Sequence, residues 1–406
     1  MSPKKILETR IPLKQLAPAV ILVLNSMIWF AVMSTVLTNS VANLNLPVSE
    51  TLILEGLYYV GIALSAFLGA LLFPRQRENC LLLWMTFGVL TTMSVITFNT
   101  NQLALTALFS LLLGFSIGMG LPSALAYFAD TTAVENRATY GGLIWMPVGF
   151  GILILALALS ALSAFWALMV LALWRAAGAV LFLGLSRIRG RLVLPDRKPS
   201  YRTILSRKDL ILYLVPWVMF SLVNFSENPI LGRVLGDFQL MAGLIEFAVT
   251  GIFAVIGGIV SDLVGRKRVV ITGFLILGIE YAVLSLFSGI QASWYIYTLC
   301  DGTAWGLFAS VFFMTIWGDL AETNQKEKYY VIGGLPYLLA GFMAVVLKPT
   351  ATDIQPITAF SLASFFLFVA VLPLMYAPET LPEKKIKDRE LRDYLEKAKR
   401  TKDKYA

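Results

Sequence analysis

The residues that could do chemistry in this chain are few, and most stand where charge is expensive. Glu246, Glu55, Glu227, Glu280, Asp301 and Arg175 all fall within long apolar runs. An ionisable side chain near the centre of a bilayer costs roughly 2.5–3.5 kcal/mol on insertion scales, so each one calls for a partner, a wetted cavity or a function. Glu246 lies nearest mid-depth and is the first candidate for carrying a proton or holding a cationic group of a solute. There is no histidine, so proton traffic would fall to carboxyl groups sheltered from water. Glu55, Glu227 and Asp301 sit toward one end of their runs. Arg175 and Glu280 are central in theirs. An ion pair inside the protein is expected for each, with Glu246 as one partner for Arg175; the sharper use of Arg175 is binding an anionic group of a solute. Asn25, Trp29, Asn224, Trp145 and Trp305 are polar or amphipathic groups that a cavity could use, and packing or interfacial anchoring is the bland use of each.

The missing chemistry narrows the field. No histidine and only two cysteines, Cys80 and Cys300, leave no metal-ligand set, no disulfide framework and no obvious catalytic constellation. No Gly-x-x-x-x-Gly-Lys-Ser/Thr run is present, so an ATP-binding loop is not expected. Neither a cofactor nor an enzyme activity is predicted.

A second group of residues carries ionic rather than catalytic chemistry. Gly258-Ile-Val-Ser-Asp262-Leu-Val-Gly265-Arg266-Lys267-Arg268 is wedged between two apolar runs. Gly258 lets two helices approach closely, and Gly265 permits the tight turn of a very short loop. Asp262, at a helix end, can pair with Arg266 or accept from a neighbouring helix N-terminus. Two further loops, Asp130 to Arg137 and Asp319 to Lys328 with Glu322, mix acids and bases in the same way.

These residues must be positioned by membrane-spanning helices. The chain is 58% hydrophobic and 14% charged over 406 residues, whereas a soluble domain carries about a quarter charged residues. Backbone groups find no water in hydrocarbon, so runs of about twenty apolar residues must be helical. Twelve are read, near 16–37, 50–73, 80–98, 103–128, 140–161 and 164–185, then 210–231, 238–260, 269–288, 292–318, 329–347 and 356–377. Of 33 Lys and Arg residues, 30 fall in the alternate set of gaps that includes both chain ends; Arg233 and Lys348 fall in the other set, and Arg175 lies inside a run. Positive charges in short loops stay cytoplasmic, so both termini are predicted to be inside. The same placement makes the net charge of +8 a topology signal and argues against nucleic-acid binding.

The predicted organisation is a tail over 1–15, a six-helix bundle over 16–186, a basic linker over 187–209, a second bundle over 210–378 and a charged tail over 379–406. The tail from Glu383 to Lys404 reads as a solvated or surface-lying helix. Gly69 and Gly258, Arg77 and Arg266, Asp130 and Asp319, and Pro147 and Pro336 each differ by 189 positions, which points to a tandem duplication.

Twelve spans, a six-plus-six repeat, a basic central loop and the Gly258 to Lys267 motif together resemble the major facilitator superfamily over essentially the whole chain. In the first copy of the motif Gly69 and Arg77 stand in register, while Phe73 and Gln76 occupy the aspartate and second glycine positions. The resemblance implies an all-α fold of two six-helix bundles, with spans 1, 4, 7 and 10 lining the centre, spans 2, 5, 8 and 11 between the halves and spans 3, 6, 9 and 12 outside. It further implies gating roles for Gly258, Asp262, Gly265, Arg266, Lys267 and Arg77, and gate salt bridges for Asp130, Arg137, Asp319 and Glu322. The glycine-rich fifth span, with Gly141, Gly142, Pro147, Gly149 and Gly151, is similar to an antiporter motif in composition but not in spacing, so close packing is its better reading. Pro378-Glu379-Thr380 resembles a fragment of a sugar-porter signature. The implied function is secondary transport of a small-molecule substrate, with protons as a coupling partner, by a monomer in the plasma-membrane bilayer. A non-transporting receptor or assembly protein on the same fold is the alternative.

Overall fold

The computed structural model describes residues 13–186, 200–321 and 326–382. Among these there is no strand, and twelve helices are long and apolar enough to cross a membrane. In the first half they are α1 (Gln15–Ala42), α2 (Val48–Leu72), α3 (Arg77–Thr97), α4 (Thr100–Thr131), α5 (Val134–Ser160) and α6 (Ala164–Ser186). In the second half they are α7 (Lys208–Leu235), α8 (Phe238–Val264), α9 (Arg266–Phe287), α10 (Gln291–Leu320), α11 (Lys326–Thr350) and α12 (Pro356–Tyr376). Each expected span is present, mostly extended by a few residues because a helix continues through the polar ends that reach the interface. Most of the basic linker, Glu322 and the tail from Glu383 to Lys404 lie outside the described residues.

Large apolar side chains point outward as well as inward. Leu83, Leu90, Val180, Leu240 and Leu286 are exposed, as hydrocarbon-facing positions must be, while Trp29, Trp217 and Trp317 are buried. This two-sided apolarity explains how the chain does without charge. It also means that apolar periodicity says little about which face of a helix turns inward.

The halves meet along α5 against α8 and α2 against α11. Glycines set the first contact: a Cβ on Gly142 would overlap the carbonyl of Ala254, and one on Gly149 would overlap that of Phe247. Backbone therefore lies on backbone across the interface, as small residues allow in membranes. Gly258 does the same against Ala138, at the start of α5. Gly265 has φ +107° between α8 and α9, a conformation that a side chain resists, so the turn needs no longer loop. In α10 the helix widens into a π-helical stretch over Ala309–Ile316, buried throughout. The two cysteines are free.

Candidate functional site

Between the halves, near mid-span, lies a cavity of about 380 Å³. Side chains of α1, α2, α5, α7, α8, α10 and α11 line it; α4, expected at the centre, contributes none. Its wall is largely aromatic, with Phe30, Tyr59, Trp145, Phe225, Trp305 and Tyr337, and carries polar groups from Ser34, Thr35, Asn224 and Asn228. Glu246 is the one charged residue among the lining residues. A wider space of about 910 Å³ shares Ser34, Thr35, Tyr59 and Asn228 with the cavity and is bordered by Glu55, Arg233 and Lys348. The cavity thus opens through a vestibule at the face opposite the chain ends.

Of the candidates, Glu246, Asn224, Trp145 and Trp305 line the cavity and Glu55 lines the vestibule, where it bonds Thr38. Glu227 is buried with one carboxyl oxygen lacking a partner. Asp301, expected toward the mouth, instead stands behind Glu246, within hydrogen-bonding reach of Glu246, Glu280 and Tyr297. Neither oxygen of Glu280 nor Oδ1 of Asp301 meets an N–H or O–H donor. Bonds among the three carboxyl groups therefore require protons held between them. The expected ion pair for Glu280 is replaced by this cluster, which no cation joins among the described residues.

Arg175 is the other correction. It pairs with no carboxylate among the described residues and does not face the cavity. Its Nη1 donates to Asn25 Oδ1 at 2.9 Å and Ser26 Oγ at 2.7 Å, and its guanidinium lies 4.8 Å from the ring centroid of Trp29 and 4.3 Å from that of Trp84. Asn25 and Trp29 are thereby drawn away from the cavity; Trp29 donates to Thr92 and Asn25 to the Trp174 carbonyl. The quadrupoles of the two ring faces attract the guanidinium where a carboxylate would otherwise stand. Nε and Nη2 have no partner, and apolar replacement of a poorly compensated buried ion is commonly neutral or stabilising. Arg175→Met is accordingly expected to keep or raise Tm in detergent, while Arg175→Ala, which leaves a void, lowers it. Equal losses in the two variants would show that the charge itself stabilises the bundle.

The face bearing the chain ends is shut by an ionic latch. Arg77 pairs with Asp130 at 2.7 Å and with Glu327 of the other half. Arg266 pairs with Asp262 at 2.7 Å and with Asp319 at 3.2 Å. Arg137 binds Asp319, and Lys326 binds Asp130 at 2.7 Å. Arg137 and Lys326 also differ by 189 positions, so these two of the three crossing pairs are copies of each other, reversed in direction. The same offset would have exposed them in the sequence. Phe73, at the place equivalent to Asp262, is buried, and Glu327 supplies the second carboxylate that Arg77 would otherwise lack. Asp262 also accepts from the Thr139 N–H at 2.7 Å, at the start of α5.

One residue of the Pro378-Glu379-Thr380 run, which resembles a sugar-porter fragment, joins the latch. Glu379 accepts from the N–H groups of Arg266 and Lys267 at 2.8 and 3.2 Å, capping α9 with a carboxylate at its positive end. Lys267 Nζ reaches back to the carbonyls of Met375 and Ala377, closing α12. The Pro-Glu-Thr run therefore braces the latch. What hid this was distance, since Glu379 lies more than a hundred residues from the amides it caps.

Two bundles of helices around a mid-depth cavity define the class of fold, and known structures share it. The chain matches the proton:xylose symporter XylE bound to 6-bromo-6-deoxy-D-glucose at a TM-score of 0.70 and 14% identity, covering 92% of this chain and 97% of that one. It matches the human organic anion transporter MFSD10 at 0.64 and 14%, over 92% and 100% of the two chains. It matches the transporter FucP in the outward conformation at 0.66 and 11%, over 90% and 99%. The chain has the twelve-helix major facilitator superfamily fold. No protein-family model and no curated protein sequence matches it.

Proposed function

We propose that the protein is a secondary active transporter that moves a small organic solute by alternating access between residues 16–186 and 210–378, joined by the linker 187–209. The carrying observation is the cavity between the halves, open through a vestibule on one face and shut on the other by ion pairs that cross from half to half. Those crossing pairs can only break together when the halves rock apart, and rocking of pseudo-symmetric bundles is how such folds carry solutes. The skew of Lys and Arg supports a latched face and both termini on the cytoplasmic side of the plasma membrane; on that reading the vestibule faces outward, and the protein is taken to work as a monomer.

Proton coupling is assigned to Glu246, Asp301 and Glu280. Glu246 touches the cavity and the other two extend the cluster behind it, so solute binding and proton occupancy act on the same group. In proteoliposomes carrying a pH-sensitive dye, solute flux is expected to move protons in the parent, and Glu246→Gln to cut that proton movement at least tenfold while the protein stays folded. Unchanged proton movement in the variant would overturn the assignment. Solute binding without any flux would instead favour a receptor on this fold.

A further inference from the structure

We infer that the cargo is a small organic cation with an apolar or aromatic body, and that it enters in exchange for a proton on the Glu246 cluster. This deepens the transporter reading and rests on it. The first support is the charge of the cavity: Glu246 is the one carboxylate among the lining residues, and neither Arg nor Lys reaches the wall. A buried carboxyl group in surroundings of low polarity repels an anion strongly and attracts a cation that can shed its water.

The second support is the wall itself. Phe225, Trp305 and Tyr337 form one connected aromatic surface, with ring centroids 5.7 Å apart for Phe225 and Tyr337 and 5.5 Å for Trp305 and Tyr337. Tyr337 lies near Glu246, so ring faces and carboxyl group are close together. A cage of rings around one carboxylate is the arrangement that recognises an alkylated or aromatic ammonium, because the π faces attract charge that cannot donate enough hydrogen bonds. Beyond the rings, Ser34, Thr35, Asn224 and Asn228 give the wall polar groups, and the buried Nε1 of Trp145, which has no partner in the protein, can donate to one acceptor on the solute.

The third support comes from behind the wall. Three carboxyl groups stand together there, Asp301 within hydrogen-bonding reach of Glu246 and Glu280, with no cation among them in the described residues. When an organic cation reaches Glu246, one proton leaves the cluster, so one positive charge replaces another and the net charge of the site is unchanged.

The test is binding in detergent, with no gradient, read by quenching of the tryptophan fluorescence to which Trp145 and Trp305 contribute. Methylphenylpyridinium is the probe, with neutral methylbiphenyl and anionic biphenylcarboxylate as shape-matched controls. Saturable binding of the cation is expected, with release of about one proton per cation into weakly buffered solution. Glu246→Gln is expected to weaken cation binding about 30-fold or more and to abolish proton release, while leaving methylbiphenyl binding within about threefold. Tyr337→Leu, which keeps the charge, should weaken the cation about 5- to 20-fold. Binding of biphenylcarboxylate as tight as that of the cation, or an unchanged cation affinity in both variants, would overturn the inference. Because no flux is measured, that failure leaves the transporter reading standing; failure of transport itself would appear as cation binding without uptake.

Discussion

Asp319→Asn is expected to empty the latched state. Asp319 is fully buried and binds two arginines, Arg137 from the first half and Arg266 from its own. Neutralising it leaves the buried Arg137 without a carboxylate partner among the described residues and Arg266 with Asp262 alone. Removing one partner of a buried pair costs about 3–5 kcal/mol. The cost falls mainly on the latched conformation, because opening that face lets water reach both arginines. At 1.36 kcal/mol per factor of ten, even 3 kcal/mol moves the conformational equilibrium more than about 100-fold. Spin labels on the exposed residues Ala133 and Arg268 report the latched face, and labels on Asn43 and Asp237 the mouth. The expected distance distributions lengthen for the first pair and shorten for the second. Unchanged distributions in a protein that still melts cooperatively would refute the latch. Asp130→Asn should do less, since Asp130 is about a quarter exposed and water already screens its pairs.

Gly142→Val carries the second large effect, and it acts through shape rather than charge. A Cβ there overlaps the Ala254 carbonyl and presses on the Cα of Val255. Both obstacles are backbone, so neither can swing aside as a side chain would. Overpacking usually costs about 1–3 kcal/mol and occasionally more; with backbone on both sides the upper end applies. The expected result is a clear fall in Tm and in folded yield, with partial loss already for Gly142→Ala. Gly334, half of the glycine pair that answers Gly141 and Gly142 in the second half, makes the contrast. A Cβ there meets nothing within 4 Å, so Gly334→Ala should be neutral or gain a few tenths of a kcal/mol from helix propensity. Equal behaviour of the two positions would mean that α5 and α8 are not held by backbone contact.

The difference between these two glycines shows where sequence reading runs out. Their neighbourhoods in the chain look alike, but α5 runs against α8 while the corresponding part of α11 leaves space around Gly334. The same limit governs the charges. Depth along their spans separates Asp301 from Glu280, whereas the rotation of α9 and α10 brings both behind Glu246. Arg175 was given a carboxylate partner, since an isolated buried cation is costly; Trp29 and Trp84, from α1 and α3, meet that need with ring faces.

By itself, then, the amino-acid sequence determined the helical spans, their division into two related halves and the ionic motif from Gly258 to Lys267. Each of these follows from constraints acting over short stretches: hydrocarbon admits only satisfied backbone, its thickness sets span length, and a tight turn with φ +107° at Gly265 needs glycine. Tertiary structure alone decided which charges meet. Glu327 completes the site of Arg77 across 250 positions, Glu379 caps α9 from beyond α12, and three carboxyl groups from α8, α9 and α10 gather beside an aromatic cavity. Helices that are apolar on every side leave little in their periodicity to say which way each one turns. Only packing, set by the glycines where backbones touch and by the scarce polar groups that must find partners, makes that choice.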